Sequence, residues 1–189
     1  AGHVVTLPHV NKIADGTAVK PPGSKIFPYI RENIEEIITV PDEDLVVSFL
    51  DMVENHKMVV ENSGLLTVAA LKQLRFKNKK VVSVLSGGNM DVITMSSVVQ
   101  QGLILRNRIF TVSVLLPDKP GQLAAVADVI ANQNGNVIKL EHNQFVSING
   151  NAAVELRITL EAFGSDHKQQ IIDALETNGY QPKIVRTQI

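Results

Sequence analysis

Cysteine is absent from the 189 residues. Disulfides, thiolate nucleophiles and cysteine-ligated metals are therefore excluded, which fits a reducing, cytoplasmic setting. Charge of one sign is also lacking. The formal net charge is -1, so no bulk field draws nucleic acid or an anionic membrane. The densest basic cluster, Lys77, Lys79 and Lys80, reads as a solvated turn. No apolar run approaches the ~20 residues of a membrane-crossing helix. Ala1-Gly2-His3 lacks the basic and then apolar order of a signal peptide, and the missing initiator methionine suggests that residue 1 is not the natural start. Neither G-x-G-x-x-G nor G-x-x-x-x-G-K-[ST] follows a strand, which leaves a nucleotide-binding α/β domain the weakest reading. The histidines show no i, i+4 pair and no glutamate at metal spacing, so no metal is expected. His142, beside Asn143 in a predicted strand, is the one most apt for a role. There is no repeat and no low-complexity tract.

What is present is an ordinary globular balance, 44% hydrophobic and 20% charged. Two segments with different rhythms separate near residues 103–108. In the first, Ile13-Ala14-Asp15-Gly16 and Lys20-Pro21-Pro22-Gly23 mark loops. Ile26 to Asn33 reads as a short helix, and Ile37, Ile38 and Val40 as a brief strand. Asp42 is a candidate N-cap for a helix with Leu45, Phe49, Met52 and Val53 at helical spacing. A second helix carries Leu66, Ala69, Ala70 and Leu74. Val81 to Leu85 is a near-continuous apolar run, the pattern of a parallel strand covered on both faces. It ends in Ser86-Gly87-Gly88-Asn89, and a helix follows from about Asp91 to Gln101.

The second segment is more regular. Phe110, Val112, Val114 and Leu116 alternate with Thr111, Ser113 and Leu115, a half-buried strand. Pro117-Asp118-Lys119-Pro120-Gly121 makes a turn. Leu123, Val126, Ala127 and Ile130 form the apolar stripe of a helix stopped by Gly135. Val137 to Phe145 and Val154 to Leu160 read as strands, with Asn149-Gly150 as a hairpin signal between them. Ser165 or Asp166 caps a helix containing Ile171, Ala174 and Leu175. That helix ends at Asn178-Gly179, and Pro182 to Val185 is a last strand. The order is βαββαβ, the split βαβ arrangement.

The chemistry concentrates at Ser86-Gly87-Gly88-Asn89. A strand delivers a hydroxyl at its carboxyl end, two glycines let backbone approach a flat ligand, and a helix begins, which is where ligands bind in α/β sheets. Taken alone, the stretch is also an ordinary glycine turn. Three stretches in order, Ile13-Ala14-Asp15-Gly16-Thr17-Ala18-Val19-Lys20, Met58-Val59-Val60-Glu61-Asn62-Ser63-Gly64 and Val82-Ser83-Val84-Leu85-Ser86-Gly87-Gly88-Asn89-Met90-Asp91, resemble the fold-type II pyridoxal-phosphate (PLP) enzymes of the threonine dehydratase and serine racemase group. The resemblance covers roughly residues 10 to 104. It implies that residues 1–105 are the C-terminal part of a catalytic domain built on an open, mostly parallel sheet with helices, in a parent enzyme that deaminates L-threonine or L-serine.

The same resemblance implies that Ser86 meets the pyridine nitrogen of PLP, that Gly87, Gly88 and Asn89 line the pocket, and that Glu61 approaches the rim of the ring. Asp15 would hold a neighbouring loop or simply make an Asx turn. The neutral hydroxyl of Ser86 would leave the ring a weaker electron sink than a carboxylate would, which suits β-elimination. Two departures stand out. The family's Schiff-base lysine, in an S-F-K-x-R-G-type stretch, and its glycine-rich phosphate loop do not appear; Ser24-Lys25, followed by Ile26-Phe27-Pro28, stands elsewhere. The N-terminal part of the catalytic domain is thus implied as a missing partner, and this chain alone is expected to be inactive and to hold PLP only weakly.

Leu116-Pro117-Asp118-Lys119-Pro120-Gly121-Gln122-Leu123, followed by Gly135-Asn136-Val137, resembles an ACT regulatory domain, ferredoxin-like and often amino-acid-binding, over residues 106–189. The free N–H groups at the start of its first helix suit a carboxylate. The resemblance implies an amino-acid effector held at Asp118 to Leu123, its ammonium group on Asp118 and Asn136 and Val137 clamping it from the side, in a homo-oligomer. The alternative is a non-catalytic binding module whose role is effector binding and association.

Overall fold

The computed structural model describes residues 3–10, 12–21, 23–75, 77–148 and 151–188. Ala1, Gly2, Pro22, Asn149 and Gly150, named above, lie outside them. The chain divides into two compact units, Ala1–Gly102 and Leu103–Ile189.

In the first unit, α1 (Phe27–Asn33) begins with proline in its first turn, where the missing N–H costs no hydrogen bond. Helix α2 (Asp42–Asp51) buries Leu45, Val46, Phe49 and Leu50. Asp42 is its first helical residue and makes no capping hydrogen bond; Pro41, extended, holds the cap position. Asp42, Glu43 and Asp44 instead place charge at the positive end of the helix. A π-type turn, Met52–His56, extends α2 and closes at left-handed Lys57. A 3-10 turn, Asn62–Leu65, leads into α3 (Leu66–Ala70). Leu74, expected on that helix, lies beyond its end. Helix α4 (Val92–Leu105) is capped by Asp91, whose Oδ1 accepts the N–H groups of Ile93 and Thr94 at 2.9 Å each. The Thr94 hydroxyl, followed by these N–H groups, holds the Asp91 carboxyl below its ordinary range. Ala14, Leu45, Val46, Phe49, Met52, Val60, Leu65, Ala69 and Val98 form the core of this unit.

The two strands expected here are not formed. Residues 37–40 and 81–85 are in no ladder, and the first unit has no sheet among the described residues. The open parallel sheet expected for residues 1–105 is therefore corrected. Val82 is 88% exposed and Val84 68%. An apolar run becomes a covered strand only where neighbours supply backbone partners and layers lie on both faces. The run at 81–85 meets the start of α3, where the Thr67 hydroxyl donates to the Val84 carbonyl at 3.0 Å, and Leu85 packs against the core, but no backbone ladder forms.

The second unit holds β1 (Ile109–Pro117), α5 (Gln122–Asn132), β2 (Asn136–Ile148), β3 (Asn151–Glu161), α6 (Ser165–Thr177) and β4 (Lys183–Val185). Its sheet order is β2-β3-β1-β4, and every neighbouring pair is antiparallel. This is the split βαβ arrangement. Val112, Val114, Leu116, Leu156, Ile158 and Leu160 pack with Val126 and Ile130 of α5 and Ile171 and Leu175 of α6.

Four local expectations are corrected in this unit. Strand β1 is buried on both faces over its first half: Thr111 and Ser113 are only 5% and 7% exposed, while Leu115 on the same face is exposed. It is central in the sheet, and its hydroxyls are satisfied by Thr159 at 2.9 Å and Glu155 at 2.7 Å. Within α5, Val126 and Ile130 carry the burial, while Leu123 and Ala127 are exposed. The left-handed residue after α5 is Asn134 rather than Gly135. Gly135 is there for space, since a Cβ would stand 2.8 Å from Ile130 Cγ2 and 3.1 Å from Ile171 Cδ1. Neither Ser165 nor Asp166 caps α6; Gly164 holds that position without a side-chain bond. His167 ties the start of α6 instead, accepting the Phe163 N–H on Nδ1 at 3.0 Å and meeting the Gln133 carbonyl through Nε2 at 2.6 Å. The α6 end at Asn178 and left-handed Gly179 is as expected.

Candidate functional sites

In the first unit three short loops meet, residues 13–17, 61–64 and 86–89. Glu61 is their hub. Its N–H donates to the Gly87 carbonyl at 3.4 Å, and its Oε2 accepts the Asn89 N–H at 3.0 Å. Gly87 is left-handed, with φ of 79°, and a Cβ there would collide with the Glu61 carboxylate. A Cβ on Gly64 would collide with the Ser86 carbonyl. A Cβ on Gly16 would come within 2.6 Å of Ser63 Oγ and 3.6 Å of Glu61 Oε1. Each loop thus approaches the next where a side chain is missing.

Ser86, Gly87, Gly88 and Asn89 are all exposed. Nothing lies within 4 Å of where a Gly88 Cβ would be. The four residues therefore present a hydroxyl, bare backbone and open space side by side. Asp15 makes a local turn, its Oδ1 accepting the N–H of Gly16 at 2.8 Å. Asn62, only 4% exposed, donates from Nδ2 to the Ile13 carbonyl at 3.1 Å, while its Oδ1 and Ser63 Oγ are buried without a partner. The matched stretches contained Gly16, Asn62, Ser63 and Gly64, but no periodicity marks residues whose role is to let loops touch.

In the second unit, the turn after β1 surrounds a cavity of about 210 Å³, lined by residues 116–123 together with His142, Val154 and Leu156. Asp118, Lys119, Pro120, Gly121, Gln122 and Leu123 are thus brought together over an apolar floor of Leu116, Val154 and Leu156. Asn136 and Val137 are not with them. Pro117 pairs with Ala153, whereas Asn136 pairs with Glu161, eight residues further along β3, a separation of roughly 27 Å at strand rise. Helix α5 carries the chain back across the sheet before β2 starts. Within one copy, the expected side clamp by Asn136 and Val137 is therefore corrected; the Asn136 amide donates to Glu161 Oε2 at 3.1 Å instead. From β2 it is His142 that reaches the cavity.

No cluster of three or more His, Asp or Glu suited to a metal lies among the described residues. None of the described helices is long and apolar enough to cross a membrane.

Residues 1–87 match the family described as pyridoxal-phosphate dependent enzyme. The chain is 36% identical to a protein named L-threonine ammonia-lyase from Geobacter sulfurreducens, over 98% of this chain and 46% of that protein. It is 32% identical to a protein of the same name from Thermotoga maritima, over 92% of this chain and 43% of that protein. A Bacillus subtilis protein named L-threonine dehydratase biosynthetic IlvA is 33% identical over 76% of this chain and 35% of its own length. The chain thus spans less than half the length of these curated relatives.

The residues present fit one edge of PLP. Ser86 offers a neutral, exposed hydroxyl, and Gly88 leaves room for a flat ring. None of the three loops carries a lysine, so the fit does not extend to a group that could form a Schiff base.

Proposed function

We propose that this chain is a segment of a PLP-dependent threonine dehydratase (threonine ammonia-lyase). Residues 1–105 contribute the ring-nitrogen edge of the cofactor pocket, and residues 106–189 form an ACT-type regulatory domain that binds an amino acid. The observation that carries the first half is the locked turn at Ser86–Asn89, with its hydroxyl exposed and open space at Gly88. The match of residues 1–87 and the names of the relatives support it.

When bound, PLP supplies the electron sink for converting L-threonine, or L-serine, to 2-oxobutyrate, or pyruvate, and ammonia. The part of this chain is to bind and orient. The Ser86 hydroxyl meets the ring nitrogen as a neutral hydrogen-bonding partner and places no negative charge there. Gly87, Gly88 and Asn89 line that edge with backbone. The lysine and the phosphate cradle come from the remainder of the parent enzyme, so the 189-residue chain is inactive by itself. Incubating it with PLP and threonine should release no 2-oxobutyrate; clear release would overturn this assignment.

For the second half, the cavity at the start of α5 is the supporting observation. An effector such as isoleucine or valine would place its carboxylate at the helix start, its ammonium group on Asp118 and its side chain over Leu116, Val154 and Leu156. Asn136 stands at the other end of the sheet from this turn. It joins such a site only from a second copy of the chain, which agrees with a homo-oligomer. Titration calorimetry against isoleucine, valine, threonine and serine tests this: saturable heat that disappears in Asp118→Ala supports the site, and no heat with any of the four removes it. The absence of cysteine and of a charged field is consistent with a cytoplasmic enzyme that binds neither nucleic acid nor membrane. A non-catalytic effector-binding module is the second reading, favoured by the same cavity and compatible with the first, because the fragment alone would act as one.

A further inference from the structure

We infer that Glu61 is a positioning residue: its carboxylate clamps the Ser86–Asn89 turn from beneath and acts on whatever Ser86 meets only through that turn. The consequence for the cofactor rests on the proposed function; the clamp itself does not.

Glu61 grips the turn in both senses. Its N–H donates to the Gly87 carbonyl at 3.4 Å, and its Oε2 accepts the Asn89 N–H at 3.0 Å. The carboxylate, from Cγ outward, fills the space that a side chain on Gly87 would need. Its Oε1 also faces Gly16, 3.6 Å from where a Cβ would stand. One carboxylate oxygen is therefore bonded to the Asn89 backbone, and the other lies against Gly87 and faces Gly16.

Glu61 is itself held. Its carbonyl accepts the N–H groups of Gly64 at 2.9 Å and Leu65 at 3.2 Å. The next residue, Asn62, is anchored to the Ile13 carbonyl, and Gly64 lies against the Ser86 carbonyl. The turn is pinned at Ser86 through Gly64, at Gly87 through both backbone and carboxylate, and at Asn89 through the carboxylate. What stays free is the Ser86 hydroxyl and the open side of Gly88. A hydrogen-bonding group is positioned well only when its own support is fixed, and Glu61 supplies that support.

The grip requires an acceptor oxygen of this length rather than a negative charge. Glu61→Gln keeps that oxygen and the side-chain volume; Glu61→Ala keeps neither. Amide hydrogen exchange, followed by NMR on the 189-residue chain, separates the cases. Exchange of the Asn89 amide should remain slow in wild type and in Glu61→Gln and become about tenfold faster in Glu61→Ala, the order expected for losing one hydrogen bond. Equal acceleration in both variants would show that charge is the working feature and overturn the inference. Unchanged exchange in Glu61→Ala would overturn the clamp outright. If Glu61→Ala fails to fold, Gly87→Ala presses on the same contact from the other side and should accelerate Asn89 in the same way, while protection left intact there would likewise overturn the clamp. Where both variants fold, the double variant should be no worse than the more affected single one; additive effects would mean that the two residues do not meet. Titrating PLP into the same sample separates this from the proposed function. If the exchange pattern holds but the amide signals of residues 86–89 ignore PLP, the clamp stands and the cofactor assignment falls.

Discussion

Gly64 shows how much a single absent atom decides in this chain. A methyl group there would run into the Ser86 carbonyl and come within 2.8 Å of Val60 Cγ1, and both neighbours belong to a packed junction. Gly64→Ala should therefore cost about 1–3 kcal/mol by overpacking, read as a lower denaturation midpoint at unchanged slope. A neutral substitution would mean that the loops do not touch there. Glu155 gives a different kind of expectation. The Ser113 hydroxyl at 2.7 Å, with help from Arg157 and Asn143, outweighs burial and lowers its carboxyl below the ordinary value. A depressed folded-state value contributes stability that is present above the unfolded-state value and lost as pH falls through the folded one. Ser113→Ala should therefore shrink the drop in stability between neutral pH and the acid end of the carboxylate range, as followed by thermal melts across pH. At this scale the sequence was informative about residue identity and silent about contact: Ser86 and Glu61 stand out in the motifs, but nothing in one dimension says that Glu61 lies under Gly87.

Among the elements, legibility depended on whether a segment carries its partners nearby. The second unit is built from consecutive antiparallel strands and two amphipathic helices, so alternation and helical spacing were enough to find β1, α5, β3 and α6. Burial of Thr111 and Ser113 escaped the pattern because it depends on β1 being central and on hydroxyl partners in β3, which alternation does not encode. In the first unit, the runs at residues 37–40 and 81–85 have strand composition but no ladder, because strand pairing is a non-local property. This contrast is measurable. Val82 is almost wholly exposed, so Val82→Lys should change stability by no more than about 0.5 kcal/mol. Phe49, fully buried in α2, should cost about 3–5 kcal/mol when replaced by alanine. A large loss at Val82 would show that the run is a covered strand in solution.

Taken whole, the molecule consists of two units with separate cores and one candidate site in each. Similarity to L-threonine ammonia-lyases extends over nearly the whole chain, while the chain spans less than half of those proteins. We propose that the first unit carries the ring-nitrogen edge of a PLP pocket and that the Ser86 hydroxyl is its working group. The most direct measurement is a titration of PLP into the isotope-labelled 189-residue chain, read at the amides of residues 86–89 by NMR and repeated with Ser86→Ala. On this assignment weak but saturable shifts are expected, confined to that turn and the loops it touches and strongly reduced in Ser86→Ala. Shifts that are absent there, or that persist unchanged without the hydroxyl, would contradict it.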